Sequence, residues 1–178
     1  MDLIKAARRG QETAFLQLFD EHYSPLYRFA RRLTGSPADA EDIVQECFLE
    51  LLRPGCLYNP KRTSIRTYLF GVVRNQSLKR YRRREVPSED SPEARSERSP
   101  ESQALQSELK GTVAQAVAEL REGYREVLIL AHYEQMPLVE IARVLEIELT
   151  TVKSRLQRAR AQLKEMLAAY ASDPETKR

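Results

Sequence analysis

The residues with the clearest chemical pattern lie between Thr150 and Lys164, near the end of a chain of 178 residues. This stretch contains five basic residues and no acidic residue. At 100° per residue, apolar side chains fall on one side of a helix, short polar side chains on the other, and basic side chains on the flanks. Such a helix suits the major groove of DNA, where polar groups read bases and flanking cations hold phosphates. The pattern favours DNA binding over an ordinary solvated amphipathic helix, and the candidate contacts are Thr150, Thr151, Lys153, Ser154, Arg155, Gln157, Arg158 and Lys164.

The segment before this helix indicates how the helix is positioned. Residues 138–145 have a helical apolar pattern and are followed by a tight turn, so the two segments together predict a helix-turn-helix. Ile141 is expected to pack against Val152, and the small side chain of Ala142 allows the two helices to approach closely.

A second pattern lies on a predicted helix between residues 39 and 51. One side of this helix is apolar and is expected to be buried: Ile43, Val44, Cys47, Phe48 and Leu51. The other side carries what we name the acidic stripe, spaced at i, i+3, i+4 and i+7: Asp42, Gln45, Glu46 and Leu49. A stripe of this composition is typical of a surface that binds a partner helix. From the residues alone, a merely solvated face is equally compatible.

A third pattern runs from Ser64 to Arg84. Five of the six residues 79–84 are basic, and over residues 66–81 aromatic residues interleave with Arg and Asn. This combination suits single-stranded DNA, whose bases stack on aromatic rings and whose phosphates need positive charge. Phe70 is assigned to the core, and for Tyr68 a core position is the alternative to a DNA contact.

The distribution of charge divides the chain. Residues 1–84 hold 16 Lys and Arg against 9 Asp and Glu, residues 85–107 hold 2 against 6, and residues 108–178 hold 11 against 11. Segment 85–103 is rich in Pro, Ser and acid and has few apolar residues, so it cannot bury enough surface to offset its ordering entropy. We therefore predict a flexible linker over 85–103 between a domain at 1–84 and a domain at 104–172.

The predicted fold class is all-α: two small helical domains joined by a flexible acidic linker rich in Pro and Ser. Apolar residues recur at spacings of three and four in both domains. Ser36 followed by Pro37 predicts the start of a helix that ends before Pro54. Pro25 fits the first turn of a helix better than its middle, which predicts a helix boundary there. After the linker, helices are predicted over residues 104–120, 124–134, 138–145 and from 150 to about 170.

The sequence lacks the residues that several other functions would require. Two cysteines and two histidines have no disulfide-framework or zinc spacing, so neither a metal nor a cofactor is expected. The chain has no Gly-rich phosphate loop and no paired nucleophile and base, which argues against an enzyme. It also has no apolar run of about 18 residues and no secretory signal at its start, so we expect a cytoplasmic protein without membrane insertion.

The three patterns, in this order, resemble the extracytoplasmic-function (ECF) subfamily of bacterial RNA polymerase sigma factors. Residues 151–160, Thr-Val-Lys-Ser-Arg-Leu-Gln-Arg-Ala-Arg, resemble the promoter-binding helix-turn-helix of region four. The acidic stripe is similar to the polymerase-binding part of region two, and residues 64–84 are similar to the promoter-melting helix. The resemblance covers nearly the whole chain, although residues 151–160 alone would also fit a LuxR-type activator.

The resemblance implies partners and roles. The acidic stripe would bind the coiled coil of the polymerase β′ subunit, the chain would also contact the β flap, and an anti-sigma factor would regulate it. The helix from Thr150 would read the minus-thirty-five element of double-stranded promoter DNA. The Asn59–Ser64 loop and Asn75 would receive a base flipped from the minus-ten element. Contacts with this partly single-stranded element would come from Asn59, Lys61, Arg62, Ser64, Tyr68, Arg74, Asn75, Lys79, Arg80, Arg82 and Arg83.

The chain departs from the family pattern in two places. Tyr68 stands where Trp is common, and Glu146, Glu148 and Thr150 replace the Gly, Pro and Gly often found in the turn. Glu146 would be strained if the turn needs a positive φ there. Two other classes of protein remain as alternatives: a sigma-like mimic that binds a protein without DNA, and a one-component helix-turn-helix regulator. The basic run at 79–84 argues against the first, and the acidic stripe argues against the second.

Overall fold

The computed structural model of the protein describes residues 3–85 and 104–172, and these residues are helical without any β-strand. The α-helices are α1 Leu3–Arg8, α2 Glu12–Thr34, α3 Pro37–Leu52, α4 Ile65–Glu85, α5 Ala104–Glu119, α6 Glu122–Leu128, α7 Leu138–Leu145 and α8 Leu149–Ser172. A π-helical turn, Ile129–Tyr133, follows α6 directly. The helices fall into two compact units: domain 1 is built around α1–α4, and domain 2 is built around α5, α6, α8 and the first part of α7, residues 138–142.

The predicted all-α class with two domains is confirmed. Of the predicted linker, Glu85 is the last residue of α4, and residues 86–103 lie outside the described residues. The helix α1 had no counterpart among the predicted elements. In the described part of the chain, no helix is both long and apolar enough to span a membrane.

The helix boundary predicted at Pro25 is wrong, because Pro25 lies inside the single helix α2. Proline has no N–H to donate to the carbonyl one turn earlier, so its presence costs the helix a hydrogen bond. Leu18 and Phe29, on either side of Pro25, are both buried, and their packing outweighs that loss. The helix ends instead at Gly35, whose φ of 72° suits glycine and whose N–H donates to the Arg31 carbonyl at 3.0 Å.

The start of α3 follows the prediction. The Ser36 side chain accepts a hydrogen bond from the Asp39 N–H at 3.2 Å, and Pro37 occupies the first helical position. All five residues of the predicted apolar side are buried: Ile43, Val44, Cys47, Phe48 and Leu51. They form the core of domain 1 together with α2 and α4, where the Phe29 and Phe70 ring centroids lie 5.1 Å apart. Phe70 is therefore a core residue, as predicted.

His22 is the one titratable ring in the described core of domain 1. It is buried, the Glu21 carboxylate lies 3.8 Å from its Nε2 atom, and no hydrogen bond to Nε2 occurs in the described structure. Burial lowers the pKa of His22, and the positive charge of Arg66 lowers it further, while Glu21 acts in the opposite direction.

We therefore expect the free energy of unfolding of the protein to fall as the pH drops below about 6.5. In that range the unfolded chain binds a proton at His22 that the folded chain binds less readily, so acid favours unfolding. Thermal unfolding between pH 8 and pH 5 measures the effect, and His22→Leu should show a smaller loss of stability over this interval. An identical pH dependence for both proteins would contradict the assignment.

In domain 2, α5 and α6 pack against α8, the second helix of the helix-turn-helix formed by α7 and α8. The predicted single helix over 124–134 begins two residues earlier, at Glu122, and its second half is the π-helical turn. A π-turn accommodates one extra residue per turn, and here Ile129 and Leu130 are both fully buried. Helix α7 has the predicted bounds, and α8 begins at Leu149, one residue before the predicted Thr150.

Candidate DNA and protein interfaces

The turn between α7 and α8 is closed by a Schellman motif. The Ile147 N–H donates to the Ala142 carbonyl at 3.0 Å, and the Glu146 N–H donates to the Arg143 carbonyl at 3.4 Å. Glu146 has a φ of 54°, so the positive φ considered from the sequence is present. A side chain other than glycine in this conformation costs about 1 kcal/mol. The motif holds the start of α8 against α7 in a defined orientation.

The outer face of α8 is exposed as the helical pattern predicts. Val152, Leu156 and Ala159 are buried beneath the helix. The opposite face and one flank are exposed, whereas Thr151 and Arg155 are partly buried. No acidic side chain occurs on α8 before Glu165. The exposed candidate DNA contacts are Thr150, Lys153, Ser154, Gln157, Arg158 and Lys164.

Two basic side chains of α8 have partners within domain 2. The Arg155 guanidinium lies against Gly123 of α6, where a Cβ atom would stand only 3.0 Å from Nη1. Glycine at position 123 therefore permits this close approach. Arg160 donates from Nε to His132 Nε2 at 3.1 Å. Both contacts join residues that are distant in the sequence. For the contact between Arg155 and Gly123, the only local indication was a glycine near a predicted helix break.

Domain 2 also carries an apolar groove of ≈ 450 Å³ between α5, α6 and α8. Its floor is aliphatic, and four of the lining side chains carry a polar group. Lys164, predicted to contact DNA, is one of these four. The lining consists of Val113, Val117, Leu128, His132, Tyr133, Arg160, Leu163, Lys164 and Leu167.

The acidic stripe of α3 lies on the surface of domain 1. All four of its residues are exposed, and the Asp42 side chain retains 63% of its accessible area. Leu49 is 58% exposed, whereas Leu51 on the same helix is buried. The predicted separation between a buried apolar side and an exposed acidic side is therefore present.

One residue of the stripe is paired with a residue predicted to bind DNA. The Arg80 Nη1 atom on α4 lies 3.0 Å from Asp39 Oδ1 and 3.3 Å from Asp42 Oδ2. Partial burial lowers the pKa of Arg80, but the hydrogen bonds and the negative charges of Asp39 and Asp42 together outweigh it, so that the pKa is raised. The guanidinium therefore remains charged and faces α3. Nothing in the local sequence indicated the pair, because its members are about forty positions apart.

The loop before α4 is ordered by two of its predicted DNA contacts. Asn59 Oδ1 accepts the Lys61 N–H at 2.9 Å, and its backbone carbonyl accepts the N–H groups of Arg62 and Thr63. The Ser64 hydroxyl accepts the Thr67 N–H at 3.1 Å and so caps α4. Lys61 and Arg62 project from this loop as exposed cations.

Tyr68 is half-buried at the start of α4 and belongs to a small cluster. Its hydroxyl forms a 3.3 Å hydrogen bond with the Cys56 thiol, and its ring centroid lies 5.3 Å from that of Tyr58. Burial raises the pKa of Tyr68 and the bond to Cys56 raises it further, so the hydroxyl is protonated. Tyr68 is thus neither fully buried nor fully exposed, and its contact with DNA stays a prediction. Sequence analysis missed Tyr58 and Cys56 as its supports.

Further along α4, the predicted DNA contacts have different degrees of exposure. Asn75 and Lys79 are exposed, and Arg74 is half-exposed. Arg82 and Arg83 belong to the last turns of α4, but their side chains lie outside the described part of the chain. The other cysteine, Cys47, is fully buried, and burial raises the pKa of its thiol, so it is a core residue as predicted.

Two helical domains, one ending in a helix-turn-helix with an acid-free exposed face, define a DNA-binding transcription factor. Comparison with known proteins specifies the family. Residues 18–86 match the Sigma-70 region 2 family, and residues 110–163 match the Sigma-70 region 4 family.

Curated relatives and solved structures agree with these matches. The chain is 28% identical to the ECF RNA polymerase sigma factor SigW of Bacillus subtilis, over 92% of this chain and 94% of SigW. It is 33% identical to SigL of Mycobacterium tuberculosis, over 89% of this chain and 92% of SigL. The sigma factor RpoE of Bartonella quintana, solved in complex with the anti-sigma factor NepR, superposes with a TM-score of 0.68 at 27% identity, covering 86% and 96% of the two chains. The chain belongs to the ECF family of RNA polymerase sigma factors, which direct the initiation of transcription.

Proposed function

We propose that this protein binds core RNA polymerase in the cytoplasm, brings it to specific promoters and opens them there. In this proposal, the domain at 1–84 binds polymerase and the minus-ten element, the linker at 85–103 joins the domains, and the domain at 104–172 reads the minus-thirty-five element. The observation that carries the proposal is that domain 1 exposes both the acidic stripe on α3 and polar residues on α4. A one-component regulator would need only the helix-turn-helix.

The polymerase contact is assigned to the acidic stripe. Its carboxylates are exposed and Leu49 offers an apolar contact at one end, which suits a basic helical partner with an apolar seam. The β′ coiled coil is the partner we propose. For the β flap we propose the groove of domain 2, because its aliphatic floor suits apolar side chains of an inserted helix.

Promoter opening is assigned to the Asn59–Ser64 loop and to Tyr68 and Asn75. In this proposal the ordered loop forms one fixed edge of the site that receives the flipped base. Tyr68 supplies an aromatic ring, and Asn75 supplies an exposed amide that can form hydrogen bonds with the edge of the base. The exposed cations Lys61, Arg62 and Lys79 provide charge for the displaced strand. An anti-sigma factor is proposed as a further partner because RpoE, which has the same fold, is bound to one.

This assignment predicts that Asn75→Ala slows strand opening about fivefold and leaves closed-complex formation nearly unchanged. A hydrogen bond to a base edge contributes about 1 kcal/mol, and this contact forms only once the base is unpaired. Permanganate footprinting follows opening over time, and a template with a pre-melted bubble is the matched control, on which the variant should recover. Equal damage to closed binding, or no recovery on the bubble, would contradict the role in opening.

A further inference from the structure

The ion pair between Arg80 and two aspartates joins the helix assigned to DNA with the helix assigned to polymerase. Arg80 resembles a DNA contact by sequence, since it lies in a run of basic residues on α4. Its guanidinium is nevertheless directed at α3, where one nitrogen, Nη1, contacts Asp39 at 3.0 Å and Asp42 at 3.3 Å. About 30% of the Arg80 side chain is exposed, and its neighbour Lys79 belongs to the exposed residues of α4.

The two aspartates require a cation in this position. Asp39 and Asp42 are three residues apart on one helix face, where like charges repel each other. The Asp39 side chain is 16% exposed, so water compensates its charge only in part. Arg80 offsets the repulsion and at the same time restricts the Asp42 carboxylate, which is otherwise exposed on a flexible side chain.

We propose that Arg80 is a positioning residue of the polymerase-binding surface, which holds Asp42 of the acidic stripe in its binding orientation, rather than a contact to minus-ten DNA. The proposal rests on the function proposed for the stripe. A carboxylate that is already oriented loses less side-chain entropy when a basic partner binds it. The Arg80 and Asp42 side chains then act as a unit, and the effect of removing Arg80 depends on the presence of Asp42.

A double-mutant cycle tests this dependence. Four full-length proteins, wild type, Arg80→Ala, Asp42→Asn and the double variant, are titrated against fluorescently labelled core polymerase. Arg80→Ala should weaken binding about threefold to fivefold in the wild-type background, and it should have no further effect in the Asp42→Asn background. An equal loss in both backgrounds would overturn the proposal, because Arg80 would then act through the fold and not through Asp42.

Lys79→Ala is the matched control, since Lys79 is the adjacent, exposed cation on α4. Promoter binding by the holoenzyme is measured over a series of salt concentrations for both single variants. Lys79→Ala should lower the salt slope by about one and keep polymerase affinity, whereas Arg80→Ala should keep the salt slope. A slope lowered by about one for Arg80→Ala would make it a phosphate contact and refute the proposal.

The same titration separates this inference from the proposed function. If Asp42→Asn and Glu46→Lys weaken polymerase binding but Arg80→Ala shows no coupling to Asp42, only the role of Arg80 is wrong. If neither stripe variant changes polymerase affinity, the stripe is not the binding surface, and the role of Arg80 falls with it.

Discussion

Glu46→Lys is expected to weaken association with core polymerase by about 2 kcal/mol or more, which is roughly thirtyfold in Kd. Glu46 is exposed at the centre of the acidic stripe, and its replacement places a positive charge against a partner surface that we infer to be basic. The same change should barely alter folding, because the side chain of Glu46 makes no contribution to the core beneath α3. Titration of labelled core polymerase with the variant measures the effect.

Asp20→Lys provides the matched control for this variant. Asp20 is an exposed acid of α2 in the same domain, and its replacement makes the same change in net charge outside the stripe. It should bind polymerase as the wild type does. Equal losses for both variants would indicate a long-range charge effect, and an unchanged affinity for Glu46→Lys would remove the stripe from the interface.

Arg158→Ala is expected to cost about 1–3 kcal/mol in promoter affinity and to relax the preference at one or two base pairs of the minus-thirty-five element. Arg158 stands in the middle of the exposed face of α8, opposite the buried Leu156 and Ala159 layer. A side chain in that position reaches base edges if this face enters the major groove. Binding to a series of promoter variants at several salt concentrations measures both the loss and the change in preference.

Lys153→Ala is the matched comparison, because Lys153 is exposed on the flank of the same helix and lies near its start. It suits this purpose better than Lys164, which lines the apolar groove. The variant should bind all promoter variants more weakly by a similar factor and lower the salt slope by about one. A uniform loss for Arg158→Ala, with unchanged base preference, would mean that a different face of α8 enters the groove.

Features set by local sequence could be predicted. The Ser36 cap, the bounds of α7 and the alternation of buried and exposed residues on α3 and α8 follow from spacing and from short-range hydrogen bonds. The positive φ at Glu146 had been considered only through the resemblance, because related turns often have Gly at that position. These signals were sufficient for the all-α class, the two domains and the exposed face of the helix-turn-helix.

Features set by packing between distant residues could not be predicted. Pro25 lies in the interior of α2, where Leu26 and Phe29 are buried, and this packing has no local sequence signal. The partners of Arg80, Arg155 and Tyr68 come from other helices or from a preceding loop. The residues next to each of them in the sequence do not indicate which distant residue it will contact. Basic residues that had the same predicted role in the sequence therefore differ in their surroundings in the structure, where some are exposed and others are paired with another residue.

Run-off transcription with core polymerase on a library of promoter templates tests the central proposal most directly. With the protein added, we predict transcripts with defined start sites from a subset of templates that share upstream and minus-ten elements, and no such transcripts with core polymerase alone. The same pattern should be lost with Glu46→Lys and retained with Asp20→Lys. If the protein binds core polymerase and promoter DNA but yields no defined transcript from any template, the proposal that it directs initiation is wrong.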